Sequence, residues 1–159
     1  NNFDISTNIS LSKNKNIDYK TNFNGLITNW GDTDISFSPN LISSVGFNYS
    51  PKKDLNISIL NKFVGDQYMS NTESVVSKLS SYSTTDLNFI YSFKKSKYFN
   101  EIIFTAMLNN IFNKEYVSNG YYYTYDDTWS DPNIVTTIEG TGYYPQAKRN
   151  FLIGFTFKL

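Results

Sequence analysis

Phe151-Leu152-Ile153-Gly154-Phe155-Thr156-Phe157-Lys158-Leu159 ends the sequence and decides how the rest is read. Phe151, Ile153, Phe155, Phe157 and Leu159 share one parity, while Gly154, Thr156 and Lys158 fall on the other. Successive side chains of a strand point to opposite faces, so this run has one apolar and one polar face. The same period recurs upstream. Phe3, Ile5, Thr7, Ile9 and Leu11 alternate with Asp4, Ser6, Asn8, Ser10 and Ser12; Leu41, Val45, Phe47 and Tyr49 with Asn40, Ser44, Gly46 and Asn48. Leu55, Ile57, Ile59 and Phe63 alternate with Asn56, Ser58 and Lys62; Leu87, Phe89, Tyr91 and Phe93 with Asp86, Asn88 and Ser92. Ile102, Phe104, Ala106 and Leu108 alternate less cleanly with Ile103, Thr105 and Met107. Each run is close to the ~9–11 residues that a tilted strand uses to cross a bilayer.

Composition agrees with strands. Aromatic residues make up 18% of the chain, with 13 Tyr and 13 Phe, while alanine is scarce and Asn and Ser are abundant. Such usage favours β-structure with polar connections over helices. No apolar run approaches the ~20 residues of a spanning helix, so any membrane role falls to strands. The start, Asn1-Asn2-Phe3-Asp4, has neither a basic nor an apolar leader segment and enters a strand pattern at once, the expectation for a piece of a longer product. Cys and His are both absent, which excludes disulfides, thiolate chemistry and the usual zinc sites in residues 1–159. A formally neutral chain gives no argument for nucleic acid.

The connections are unequal in a regular way. Ser50-Pro51-Lys52-Lys53 and Lys94-Lys95-Ser96-Lys97 read as tight turns, whereas the stretches around 13–36, 64–81 and 112–147 are long. Short turns at one end and long loops at the other are the pattern of transmembrane β-barrels of the bacterial outer membrane. Tyr49, Tyr91, Phe93, Phe155 and Phe157 gather at the short-turn end, where an interfacial aromatic girdle belongs. The expected fold is therefore all-β: part of an antiparallel transmembrane barrel. A soluble antiparallel sandwich also alternates apolar and polar residues and stays open at this point. Six strands leave free edges that lipid cannot satisfy, so the barrel needs further strands from elsewhere.

Arg149 shares parity with Phe151 and Phe155 and so belongs to the lipid side. A strand rising ~3.3 Å per residue at ~45° lifts it roughly 23 Å above the C-terminus, near the outer edge of a band about 25 Å tall. There a lipid-facing charge costs only ~0–1 kcal/mol, against ~2–4 at the midplane. Contact with a lipopolysaccharide phosphate is one reading, and a snorkelling rim residue the other.

Three motifs carry a family resemblance. Asp66-Gln67-Tyr68-Met69-Ser70-Asn71-Thr72 follows Lys62-Phe63-Val64-Gly65. Leu108-Asn109-Asn110-Ile111-Phe112-Asn113-Lys114-Glu115-Tyr116 ends the fifth strand, and Tyr143-Tyr144-Pro145-Gln146-Ala147-Lys148-Arg149-Asn150-Phe151 leads into the sixth. In this order and spacing they resemble the C-terminal part of TonB-dependent outer-membrane receptors, particularly the Bacteroidetes type. The resemblance implies the last six strands of a 22-stranded barrel, with long connections outside the cell and short turns in the periplasm. It also implies a plug domain and earlier strands that these residues do not include, and TonB contact through that plug. Receptors of this kind take up scarce nutrients such as ferric siderophores, haem, cobalamin or glycans, and a ferric siderophore or similar chelate is the expected ligand. Leu159 departs from the family, which usually ends in Phe. A passive porin and a barrel adhesin share the same wall physics and remain alternatives.

Catalysis is not expected, because a Ser nucleophile here lacks a His partner. Asp32 with Asp34 and Asp126 with Asp127 could serve acid–base work or calcium, but solvated loop carboxylates are far commoner, and no metal or cofactor is assigned. The best ligand-binding candidates are Tyr121, Tyr122, Tyr123, Tyr125 and Trp129 in the third long connection, with Trp30 in the first. Amphipathic rings offer large contact area at low entropy cost. Such rings also pack loops together or sit in an outer girdle.

Overall fold

The computed structural model describes residues 2–23, 25–94, 98–131 and 133–159. Six long strands, β1 (Phe3–Leu11), β4 (Leu41–Lys52), β5 (Leu55–Val64), β8 (Tyr82–Lys94), β9 (Glu101–Asn109) and β12 (Asn150–Lys158), form one sheet in that spatial order. Every neighbouring pair is antiparallel, so the sheet is an up-and-down meander. These are the six segments that the sequence period marks.

Register settles the faces, because residues directly opposite in an antiparallel pair share a side. Phe3, Tyr49, Ile57, Phe89, Ala106 and Ile153 form one continuous row across all six strands, and Ile5, Phe47, Ile59, Leu87, Leu108 and Phe151 form the next. The opposite face carries Asp4, Asn48, Ser58, Asn88, Thr105 and Gly154, mixed with Leu60, Ile90, Ile103, Met107 and Leu152. Phe151 and Ile9 remain 73% and 70% exposed on the apolar side. A soluble sandwich needs a second sheet over that side, and among the described residues the other sheets are only two-stranded hairpins. The fold is a single-layered segment of barrel wall.

Meander geometry puts the turns β4–β5 and β8–β9 at one end and the three long connections at the other. The first turn contains a bulge, since Tyr49 pairs with Ile57 but Lys52 with Leu55. Ser50 and Pro51, the latter with no N–H to give, stand opposite Asn56 alone, and the Asn56 amide donates to Ser50 Oγ at 3.0 Å. The second turn, expected over Lys94–Lys97, falls mostly on residues 95–97, outside the described ones.

The long connections stand where the sequence placed them, and they carry secondary structure that the sequence reading did not resolve. The first folds into hairpin β2 (Lys15–Phe23) and β3 (Leu26–Asp34), and the third into β10 (Val117–Asp127) and β11 (Thr136–Pro145). The second holds the short pair β6 (Gln67–Tyr68) and β7 (Lys78–Leu79) around one 3-10 turn, Val75–Ser77.

These connections interlock. The Phe37 N–H donates to the Tyr68 carbonyl at 2.8 Å, and the Ser36 N–H to Asn71 Oδ1 at 2.7 Å. Lys15 bridges Asp34 and Glu73 at 3.2 and 3.7 Å. The buried hydrophobic residues are Val64, Met69 and Leu79, and Ser77 is fully buried. Among the described residues the hydrophobic core lies at the loop end, where β5 finishes at Val64.

Candidate functional site

Hairpin β10–β11 carries most of the predicted ligand-binding residues. Strand parity sends Tyr121, Tyr123 and Tyr125 to one side and Tyr122 and Thr124 to the other. Directly across from Tyr121 and Tyr123 stand Gly142 and Gly140. Glycine inside a strand weakens it unless something needs the space. Here the rings use it: a β-carbon on Gly140 would lie 2.4 Å from Tyr123 Cζ, and one on Gly142 only 2.3 Å from Tyr121 Cε1. Each tyrosine ring therefore leans across its cross-strand glycine, in the space a side chain there would fill.

The result is a row. Tyr121 to Tyr123, Tyr123 to Tyr125 and Tyr125 to Trp129 are separated by 6.1, 6.4 and 5.8 Å between centroids, with ring planes within 26°, 16° and 2° of parallel. Tyr144 adds a tilted fifth ring 6.1 Å from Tyr121. All five remain more than two-fifths exposed. Asp127 holds the turn beyond the row, its carboxylate accepting from the Trp129 and Ser130 N–H groups at 3.1 Å. Its pKa lies below the ordinary carboxylate range, chiefly through hydrogen bonding from Ser130.

Tyr122 takes a different place. Half-buried on the inner side, it donates its hydroxyl to Glu139 and lies near the hydroxyls of Ser74 and Thr72. Burial and then Glu139 raise its pKa, and the Tyr122 hydroxyl and then Ser74 lower that of Glu139. On this same side Met69 Sδ comes so close that a β-carbon on Gly120 would lie 2.7 Å from it. The Gln67 amide donates to the Ser118 carbonyl at 3.4 Å. The inner side is thus clamped to the second connection, which leaves the ring row facing out. Trp30 stands on the other hairpin, 44% exposed, with its indole N–H donating to Thr21 Oγ1 at 3.0 Å.

The two motif segments noted in the sequence meet. Asn110 is buried and has φ 50°; its amide donates to the carbonyls of Lys114 at 2.8 Å and Ala147 at 3.3 Å, while its Oδ1 accepts from the Lys114 N–H at 2.9 Å. The Arg149 N–H donates to Asn113 Oδ1 at 3.1 Å, and Lys148 pairs with Glu115. The Asn110–Tyr116 segment and the Tyr143–Arg149 lead-in therefore form one joint at the top of β9 and β12. The acidic pairs are also engaged locally: Asp126 Oδ1 accepts from Thr137 at 2.8 Å, and Asp34 meets Lys15. No cluster of metal-ligating residues occurs among the described residues.

Tyr49, Phe93, Phe155 and Phe157 stand on the apolar face at the short-turn end, about half exposed, with Tyr91 meeting Phe93 edge-on at 4.4 Å. Arg149 lies just before β12, at the opposite end.

No family model and no curated protein matches the sequence. Among solved structures, the chain is similar to the siderophore receptor PiuA from Acinetobacter baumannii, with a TM-score of 0.68 and 15% identity. The likeness covers 98% of this chain and 19% of that one. This chain has the fold of a segment of β-barrel wall. It spans about a fifth of that receptor's length, and at this identity the likeness establishes architecture alone. It extends over the long connections as well as the six strands, because almost the entire chain is aligned.

Sequence reasoning did not single out Tyr144, Gly140 or Gly142. The signal was there: Tyr at every second position in 121–125, and Gly at every second position in 140–142.

Proposed function

We propose that residues 1–159 are the C-terminal wall of an outer-membrane receptor for TonB-energised uptake of a scarce nutrient, with a ferric siderophore or similar chelate as cargo. The observation that carries this is the single-layered meander with apolar rows running across all six strands on one face, aligned over 98% of its length with a siderophore receptor. In this reading Tyr49, Tyr91, Phe93, Phe155 and Phe157 form the periplasmic aromatic girdle, and Arg149 meets lipopolysaccharide at the outer rim. The long connections face the medium, and an absent plug contacts TonB.

One observation favours a plugged receptor over an open porin. The inner face carries Leu60, Ile90, Ile103, Met107 and Leu152, and a water-filled lumen is normally polar. A packed domain gives those side chains an apolar partner.

The segment contains no cysteine, which makes single-cysteine scanning direct. In the full-length product, Ser130→Cys should react with a membrane-impermeant maleimide on intact cells and Lys53→Cys should not. Uptake of radiolabelled ferric siderophores should fall in a deletion strain, and in the intact strain treated with a protonophore. Uptake indifferent to the protonophore would point to a passive pore.

A further inference from the structure

The ring row on β10–β11 is more specific than a sticky loop. Its near-parallel rings share one side of the hairpin, stay exposed and lean over Gly140 and Gly142, so the surface is one-sided. It runs from Tyr144 through Tyr121, Tyr123 and Tyr125 to Trp129, too long for a compact ion and open along its length. Charge narrows the ligand further. Residues 117–145 contain Asp126, Asp127, Asp131 and Glu139 and not one Lys or Arg. The adjacent basic residues, Lys114 and Lys148, lie outside the hairpin, and Lys148 is paired with Glu115. Asp126 and Glu139 share the inner side with Tyr122, but Asp127 stands at the Trp129 end of the row, so a multiply anionic ferric chelate would meet like charge at that end and no cation on the hairpin.

We propose that this row is a docking surface for a soluble, neutral oligosaccharide, two or more pyranose units lying along Tyr121, Tyr123, Tyr125 and Trp129. The negative face of each ring meets the polarised C–H groups on one side of a sugar. The phenol hydroxyls can donate to or accept from sugar hydroxyls, and the Asp127 carboxylate at the end of the row can accept from them. A quaternary ammonium also favours aromatic faces beside carboxylates, but it is best held by rings on several sides, and this row offers one. The proposal rests on the hairpin facing the medium, which the Ser130→Cys labelling measures separately, and it is independent of the cargo that crosses the barrel.

The test uses the full-length receptor in detergent, titrated calorimetrically with neutral α- and β-linked gluco-, manno- and galacto-oligosaccharides, a ferric tris-catecholate, and choline. At least one neutral oligosaccharide should bind, and Tyr123→Ala with Trp129→Ala should weaken it about tenfold or more. Gly140→Val keeps every ring but pushes Tyr123 off the sheet, and should weaken binding similarly, while Tyr123→Phe should largely retain it. Tris-catecholate affinity should be unmoved by these changes. Heat-modifiable migration on gels shows that each variant is folded. The proposal is overturned if no neutral oligosaccharide binds, if binding ignores the rings, or if the same variants lose tris-catecholate or choline instead.

Discussion

Asn110 holds a left-handed backbone, φ 50°, that few residues other than glycine enter cheaply, and its short amide makes the visit useful. Its Oδ1 accepts from the Lys114 N–H and its Nδ2 donates to the Lys114 and Ala147 carbonyls, while its own N–H donates to Asp86 Oδ1 at 2.8 Å. Asn110→Ala would remove three side-chain hydrogen bonds while keeping the backbone penalty, a loss of about 2–4 kcal/mol. Asn110→Gly should recover only the backbone share. Urea midpoints of the full-length barrel in lipid bilayers, ordered native above Gly above Ala, check this. The sequence made this residue visible as part of a motif without saying why it was there. The reason is a contact between segments 37 positions apart, which no local period encodes.

Among elements, the contrast between wall and connection explains what could be read in advance. The six wall strands separate an apolar from a polar environment, so their side chains alternate and the period shows. Hairpin β10–β11 separates a polar medium from a polar neighbouring loop, and Thr136-Thr137-Ile138-Glu139-Gly140-Thr141-Gly142 carries little hydropathy contrast. The strand was legible only as ring opposite glycine, a cross-strand pattern invisible until the pairing is known. The clamp that seats this hairpin is titratable at both ends. Glu139 has a folded pKa below its ordinary 4.5, so its contribution is present above that value and disappears as pH falls through the depressed one. Tyr122 has a folded pKa above its ordinary 10.0, so its contribution is complete below 10.0 and fades as pH rises through the raised one. The hairpin should be held firmly in between. Spin labels at Val75 and Thr137 in the full-length protein should give a narrow distance distribution at pH 7 and a broad one once the pH has fallen through the depressed Glu139 pKa. Glu139→Gln should broaden the pH 7 distribution and remove most of the acid response.

Over the molecule as a whole, the two faces of the sheet predict opposite tolerance to charge. Phe89 lies mid-strand in the apolar row, and Asn88 beside it points the other way. In a bilayer Phe89→Arg should cost ~2–4 kcal/mol, whereas Asn88→Arg, on the inner face, should cost far less. A soluble sandwich would not order the pair by membrane depth. The same asymmetry governs this segment on its own. β1 pairs with β4 and β12 with β9, and among the described residues the far edge of each outer strand is unpaired. Those edges offer rows of free N–H and C=O groups beside an uncovered apolar face carrying Phe3, Phe47, Phe151 and Phe155. Neither water nor lipid satisfies both features at once, since water leaves the apolar face exposed and lipid leaves the edges unpaired. Residues 1–159 expressed alone should therefore collect as aggregates, and detergent, which covers only the face, should not yield a monodisperse monomer. Supplying the preceding strands in the same chain should convert the segment to a heat-modifiable, protease-resistant barrel. A soluble, monodisperse 18.3 kDa monomer without detergent would be incompatible with a barrel wall.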